Sequence, residues 1–403
     1  MAQLIAGLPR PSSKYLFTDR ITVDQLIQPF CETLRAASQA GTPLRIRGGG
    51  SKDFYGNAAT GDLLDVSGYR GIIEYDPTEL VITARAGTPL AEIEAAMRDR
   101  GQMLGFEPPH FGYFHPSPLA PLPQGEGNVA RLMPGTGTAT LGGCVAAGLS
   151  GPRRPYAGSV RDFVLGVRIL DGRGTDLVFG GQVMKNVAGY DVSRLVTGSL
   201  GTLGVILEVS LKALPLPATE MTLVREETQD DAIRLMNAWA GKPLPITGTC
   251  HVEKRLYVRL AGATSAVKAA AGRIGGETIA GDTEFWRDIR DQRDLFFSGD
   301  APLWRLSVSP TAPPLDLPGA QLIEWGGALR WLRADIDAMS VRKAARSSDG
   351  HATLFRNNDS RHNSARTPAF HPLPVALMRL HQRVKKAMDP AGILNPGRLY
   401  QEL

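Results

Sequence analysis

Gly135–Asp162 reads GTGTATLGGCVAAGLSGPRRPYAGSVRD, and the small residues in it set what this chain can approach. Gly142, Gly143, Ala146, Ala147, Gly148, Ser150 and Gly151 strip side-chain bulk from one stretch, so backbone can come close to a flat ligand. Arg153 and Arg154 follow directly, with charge to neutralise phosphates or orient an acidic substrate. Upstream, Pro43–Asp53 reads PLRIRGGGSKD, a strand running into three successive glycines, then Ser51 and Lys52. Glycine reaches φ > 0 without steric cost, so consecutive N–H groups there can converge on an anion such as a pyrophosphate. Ser51 adds a hydroxyl, and Arg47 or Lys52 a positive charge. Taken alone such a run is more often a plain turn, and it is neither a Walker loop nor a Rossmann Gly-x-Gly-x-x-Gly. Downstream, Gly198–Val209 reads GSLGTLGVILEV, a glycine turn feeding a strand whose edge can read an adenine through main-chain groups.

The bulk composition fits a ligand of this kind. A chain of 403 residues has length for two or three domains and a substantial core, and 43% hydrophobic with 21% charged residues describes an ordinary globular protein. With 45 Lys+Arg against 40 Asp+Glu the net charge is +5, a weak basic excess suited to a dinucleotide or a hydroxy-carboxylate. Basic residues are scattered apart from Lys385-Lys386 and a few Arg-Arg pairs, so nucleic acid is not an expected partner. Cys31, Cys144 and Cys250 lie far apart with no Cys-x-x-Cys pair, which argues against a disulfide framework, a zinc site or a cysteine-ligated iron–sulfur cluster; no metal site is expected. Met1–Lys14 lacks an apolar signal core and no run of about 18 apolar residues follows, so no transmembrane segment is expected and the cytoplasm is the default.

Periodicity gives the elements. Leu26, Phe30, Leu34 and Ala37 predict a helix over 24–39 with Pro29 kinking its first half. Leu44–Arg47, Leu63–Val66, Gly71–Tyr75 and Leu80–Ala86 read as strands. Thr88-Pro89 reads as an N-cap and first helical position before a stripe of Leu90, Ile93 and Met97, ending at Gly101. Val164–Leu170 and Leu177–Phe179 form a hairpin across Asp171-Gly172, and Gly204–Lys212 is another strand. His115–Asn128, HPSPLAPLPQGEGN, has no periodicity and too much Pro and Gly for a packed element, so it reads as a surface insertion or an active-site lid. Leu214-Pro215-Leu216-Pro217 marks a boundary. Beyond it come strand 221–225, helix 229–239, strands 246–252 and 255–260 and helix 264–274, most of a split β-α-β-β-α-β unit. Further strands are expected at Leu303–Val308 and Leu322–Trp331, and a helix over Pro374–Met388; no internal repeat is evident.

The three glycine-containing elements, in this order and spacing, resemble the FAD-binding module of the vanillyl-alcohol oxidase/PCMH flavoprotein superfamily. LRIRGGGSKDFYG, AGLSGPRRPYAGSVRDFVLGVRILDGRG, FGGQVMKNVAGYDVSRLVTGSLGTLGVILEVSLKALP and the terminal DPAGILNPGRLY are similar to signatures of one family within it, the FAD-binding E-type subunits of bacterial glycolate oxidases. The resemblance spans nearly the whole chain, with 112–134 standing apart. It implies an α+β fold: a PCMH-type FAD-binding domain of two α/β subdomains over 1–217, and a smaller ferredoxin-like cap domain over 218–370. A segment, 371–403, would return to the FAD domain. It implies that Arg47, Gly48, Gly49, Gly50 and Ser51 hold the pyrophosphate. Thr140, Gly142, Gly143, Gly148, Ser150 and Gly151 would line the flavin and its ribityl chain, and Val205 and Ile206 would meet the adenosine half through their backbones. Some relatives attach flavin through a His just after the first loop; Lys52-Asp53 stands there in this chain, so non-covalent FAD is expected.

Oxidation of a 2-hydroxy acid needs a hydride acceptor, a base for the hydroxyl proton and a cation for the carboxylate. Histidine is the usual base. Of seven histidines, His351 in GHATLFR and His371 in HPLP are the candidates, with Arg356 as the carboxylate partner; structural roles stay open for each. The paired-His, glycine-rich stretch that related catalytic subunits carry in the cap has no match here. The resemblance therefore implies an FAD subunit of a multi-subunit glycolate oxidase, partnered by a homologous larger FAD subunit and an iron–sulfur subunit. Through them it would sit in the cytoplasm or peripherally at the inner membrane. A self-sufficient 2-hydroxy-acid dehydrogenase and a flavin-binding scaffold or electron relay without turnover are the alternatives.

Overall fold

The computed structural model of the protein describes residues 20–111, 137–181, 191–279, 282–357 and 367–403. The Pro/Gly-rich stretch 112–134, with His115 in it, and His362 lie outside them.

Two sheets organise the chain. The first has five antiparallel strands, in the order Ile72–Asp76, Val81–Arg85, Val205–Lys212, Val164–Leu170, Asp176–Gly180. Both faces are covered, so its inner strands are largely buried, and the polar Thr83 and Ser210 among them pair with each other at 2.8 Å. One face packs on helices Leu90–Arg98 and Leu141–Ala147 through Ile82, Ile93, Met97, Leu141 and Val145. The other packs on helix Arg20–Ala40 through Leu34, Leu170, Val205 and Leu207. Beside that helix, Leu44–Arg47 pairs in parallel with Asp62–Asp65 and delivers the first glycine run.

The chain's end returns to this body. In helix Val375–Met388 the Lys385 ammonium is buried, donating to Asp389 Oδ2 at 2.8 Å and to the carbonyls of Thr202 and Leu394 at 2.9 and 2.7 Å. Asp389 also accepts from Leu394 N, and Leu394 bridges in parallel to Leu44. Asn395 then accepts from Ile46 N and donates to Leu200 O, at 2.8 and 2.6 Å.

The second sheet takes every strand between Thr219 and Arg356. Its order is Glu277–Thr278, Thr219–Glu226, Arg255–Gly262, Ile246–Val252, Ala320–Glu324, Leu329–Arg333, Leu303–Ser307, His351–Arg356. The first four, with helices Gln229–Ala240 and Thr264–Ile274, have the order of a split β-α-β-β-α-β unit. The last four repeat that order in mirror sequence along the sheet, with helix Ala338–Ser347 before the final strand and a loop in place of the other helix. A topological repeat is thus present where the sequence gives no sign of one, since only the path is shared. The halves join through two residue pairs, Cys250↔Glu324 and His251↔Ile323.

Two local expectations are corrected. Leu322–Trp331 is not one strand but two, because Trp325 at φ 55° and Gly326 at φ 65° reverse the chain inside the apolar run. Thr88 does not cap the helix that follows: its hydroxyl turns back to Gly71, accepting from Gly71 N at 2.8 Å, and Pro89 precedes the first helical residue.

Candidate cofactor groove and adjoining cavity

The first glycine run ends its strand in a groove of about 230 Å³, walled by Gly48–Lys52 on one side and Thr138, Thr140 and Gly143 on the other. A groove of that size takes part of a dinucleotide and leaves the rest along the surface. The glycines have separate reasons. A Cβ on Gly49 would strike the Thr138 carbonyl, because the two loops run side by side and bridge at Gly50↔Thr138. Gly50 has φ 77° and lies under the Arg47 guanidinium. Gly143 is different: a Cβ there meets only the Thr140 hydroxyl, and otherwise points into the groove. Arg47 is committed to Asp53 at 2.7 Å, so backbone amides and the buried Ser51, not a free arginine, meet a phosphate first.

In the second loop, Thr140 caps helix Leu141–Ala147 by accepting from Gly143 N at 3.4 Å, and Gly148 closes it at φ 68°. Gly142 is held inside: its N–H donates to Ala86 O at 2.8 Å and a Cβ would overlap Ala86. Gly148 packs on Gly198 Cα for the same reason. Neither lines the groove, whereas Ala146 and Ala147 do. Past the helix, Ser150 and Gly151 border a second space. The Ser150 hydroxyl accepts from Val160 N at 3.0 Å, and Gly151 O accepts from Trp325 Nε1 at 3.1 Å. Val205 and Ile206 open a central strand, not an edge one; they pair with Leu170 and Ile169 and run past the Val81–Arg85 partner, whose register stops at Glu208.

That second space is a cavity of about 30 Å³ between Leu149–Pro152 and the face of the eight-stranded sheet. Aromatic rings surround it: Phe355 lies edge-on to Trp331 at 4.9 Å and to Phe54 at 5.6 Å, and tilted on Tyr55 at 5.2 Å. Its charged groups are Arg290, paired with Asp291 at 2.8 Å, Arg305 and Glu324. Burial pushes the Glu324 carboxyl up to about 7, although Trp331 Nε1 donates to it at 2.8 Å and Arg305 opposes the rise. Arg305 stacks on Trp325 at 5.0 Å, and Arg154 stacks on that indole at 4.4 Å. Burial would raise Glu107, but Arg259 and Arg153 hold it below the usual carboxylate range; at 2.8 and 3.2 Å they tie the two sheets together. Burial also lowers the Lys52 ammonium, which sits 5.6 Å from the Phe111 ring.

The histidine candidates stand elsewhere. His351 opens an edge strand opposite Ser307 and is exposed. His371 Nδ1 accepts from Ala352 N at 3.3 Å, pinning the returning chain to that strand. Neither lines the groove or the cavity. Arg356 is buried and donates to Gln292 Oε1 at 2.9 Å. Sequence reasoning missed Glu324 and Arg305 in the cavity wall, which sit in ordinary-looking strands; it missed Asn395 and Arg398 in the groove, although the tail motif carries both.

Among the described residues no group of acidic, His or Cys side chains could hold a metal, and no helix is long and apolar enough to cross a membrane. A two-layered body with a groove built from glycine backbone defines a dinucleotide-binding class, and residues 27–114 match the model of a family described as FAD binding domain. Over 376 residues the chain is 48% identical to glycolate oxidase subunit GlcE of Escherichia coli K12, covering 93% of this chain and 98% of that one. The chain belongs to the family of that subunit. It is also 29% identical over 218 residues to glycolate oxidase subunit GlcD of Bacillus subtilis, spanning 53% of this chain and 41% of that relative. D-lactate dehydrogenase of Archaeoglobus fulgidus is 29% identical over 216 residues, 53% of this chain and 43% of its own length. Among solved structures, an alkyldihydroxyacetonephosphate synthase superposes with a TM-score of 0.60 at 13% identity, covering 92% of this chain and 75% of that one, a likeness of fold.

Proposed function

We propose that this chain is the FAD-binding subunit of a multi-subunit glycolate oxidase, taking part in oxidation of glycolate and related D-2-hydroxy acids to 2-oxo acids. The observation that carries this is a likeness to a glycolate oxidase subunit running over 98% of that subunit's length. In this reading 1–217 is a PCMH-type FAD domain of two subdomains, 218–370 a cap, and 371–403 its returning segment. The groove residues fit the cofactor: Gly48–Gly50 amides and Ser51 would hold the pyrophosphate, and the bare Gly143 and the Ala146-Ala147 wall would face the ribityl and ring portion. FAD, when bound, supplies two-electron acceptance from the substrate carbon. The chain's own residues bind it, orient it and exclude water. Attachment is non-covalent, since Lys52-Asp53 follow the first loop where a linking His would stand; yellow flavin retained in an acid-precipitated pellet would contradict this. The partners are a homologous larger FAD subunit and an iron–sulfur subunit, which would place the complex in the cytoplasm or at the inner membrane surface.

The test is anaerobic addition of glycolate to the purified chain, alone and with its partner subunits. Bleaching of bound flavin only in the assembled complex is the expected result. Bleaching by the chain alone makes it self-sufficient. A chain that neither carries nor takes up FAD removes the proposal.

A further inference from the structure

Helix Val375–Met388 is fastened along one side only. Lys385 turns into the body, and Val384 and Met388 rest half-buried against the core of the first sheet. Three large apolar residues of the same helix stand in the open: Val375 is 69% exposed, Leu380 54% and Leu377 40%. Leu377, Leu380, Val384 and Ala387 recur at alternating steps of three and four residues, the narrow seam that one partner helix covers. A helix that lies in a bilayer surface carries a broader apolar face with aromatic rings in it, and this helix holds no Trp, Tyr or Phe.

Its charge is one-sided as well, for the helix contains no Asp or Glu. Lys385 is spent on Asp389, and Lys386 donates to Pro390 O at 2.8 Å. Arg379 and Arg383 are exposed and have no carboxylate partner among the described residues. At 3.6 residues per turn they fall on the solvent side of the seam, away from Lys385. A second copy of this chain would set those cations against themselves, whereas an acidic surface complements them.

We propose that this face docks a companion subunit, through an amphipathic helix whose own apolar stripe is flanked by Asp and Glu. This rests on the multi-subunit reading above. Leu377 and Leu380 supply the centre that loses water on contact, and Arg379 and Arg383 steer the approach and select the acidic side. Lys385, tied to Asp389 and to the carbonyls of Thr202 and Leu394, holds the helix in place before the partner arrives.

The experiment combines the full chain with the homologous FAD subunit and the iron–sulfur subunit, and follows assembly by sedimentation and by binding kinetics. Leu377→Glu with Leu380→Glu should weaken assembly about a hundredfold or more, with flavin content and melting preserved. Arg379→Glu with Arg383→Glu should slow association about tenfold at low salt, and added salt should slow wild type far more than that variant. Where the leucine-to-glutamate pair lowers melting, Leu377→Ala with Leu380→Ala decides, with an expected loss of about tenfold. Assembly at wild-type strength in the leucine variants overturns the docking face and leaves the flavoprotein reading standing. Two other results overturn it too: binding to phosphatidylglycerol vesicles that only the leucines support, or self-association of the chain alone that they support, with subunit assembly intact in both. A chain that assembles through these leucines yet takes up no FAD keeps the docking face and removes the flavoprotein reading.

Discussion

Gly49 and Gly143 look alike on the page and differ in what a side chain would meet. Valine at Gly49 collides with the Thr138 backbone and forces the two loops apart, whereas valine at Gly143 meets one hydroxyl and then the groove. Gly143→Val should therefore lose FAD while melting close to wild type, and Gly49→Val should lose both FAD and stability, by about 2 kcal/mol or more; flavin absorbance and thermal melts separate them. Glu324 makes a pH prediction. Its carboxyl titrates near 7 when folded against 4.5 as its ordinary value, so the folded chain binds the proton more tightly. The stability it contributes is complete below about 4.5 and lost as pH rises through about 7, some ~3 kcal/mol in all. Glu324→Gln should flatten stability between those limits and melt above wild type at pH 8. No local pattern announces either residue's environment: a glycine's neighbour and a carboxyl's burial are set by chain brought in from far along the sequence.

Elements with a clear period were legible, and those depending on distant partners were not. The stripe Leu90, Ile93, Met97 is fully buried, and strand Ile246–Val252 and helix Thr264–Ile274 begin and end where the pattern places them. The short helices Arg154–Ala157, Val160–Phe163 and Val192–Val196 are too brief to show a period. The Trp325-Gly326-Gly327 turn was hidden because apolar residues flank it on both sides. Helix Val375–Met388 was readable as a helix, but its anchor was not: Lys385, which looks like a surface lysine, is the residue that fastens it. Lys385→Met leaves Asp389 buried without its counter-ion and should cost about 3–5 kcal/mol, read from urea melts. Lys385→Met with Asp389→Leu should recover part of that loss.

At the scale of the whole molecule, the flavin half was the more legible, because bringing backbone to a ligand demands glycine and small residues in long unusual runs. The cavity side was not, because Arg305 and Glu324 sit in ordinary strands whose pattern says nothing of what they line. The histidine candidates came from a general preference for imidazole bases, and the fold puts both at a sheet edge instead. Two contacts bring the halves together: the half-buried Glu107, gripped by Arg153 from the second loop and Arg259 from the far sheet, and the apolar cluster of Phe111 and Leu149 with Trp331 and Phe355.

The seam between Ile246–Val252 and Ala320–Glu324 has a mechanical meaning. A sheet of eight strands stitched over two residue pairs at its middle is held least there, and a plate opens first where it is held least. Deuterium should accordingly enter the amides of Cys250 and Ile323 sooner than those of the five-pair ladder between Leu303–Ser307 and Leu329–Arg333. Glu324 is one of the stitches. Any breathing along that line therefore moves a residue of the cavity wall, so the width of that cavity is governed by how tightly two short strands stay sewn.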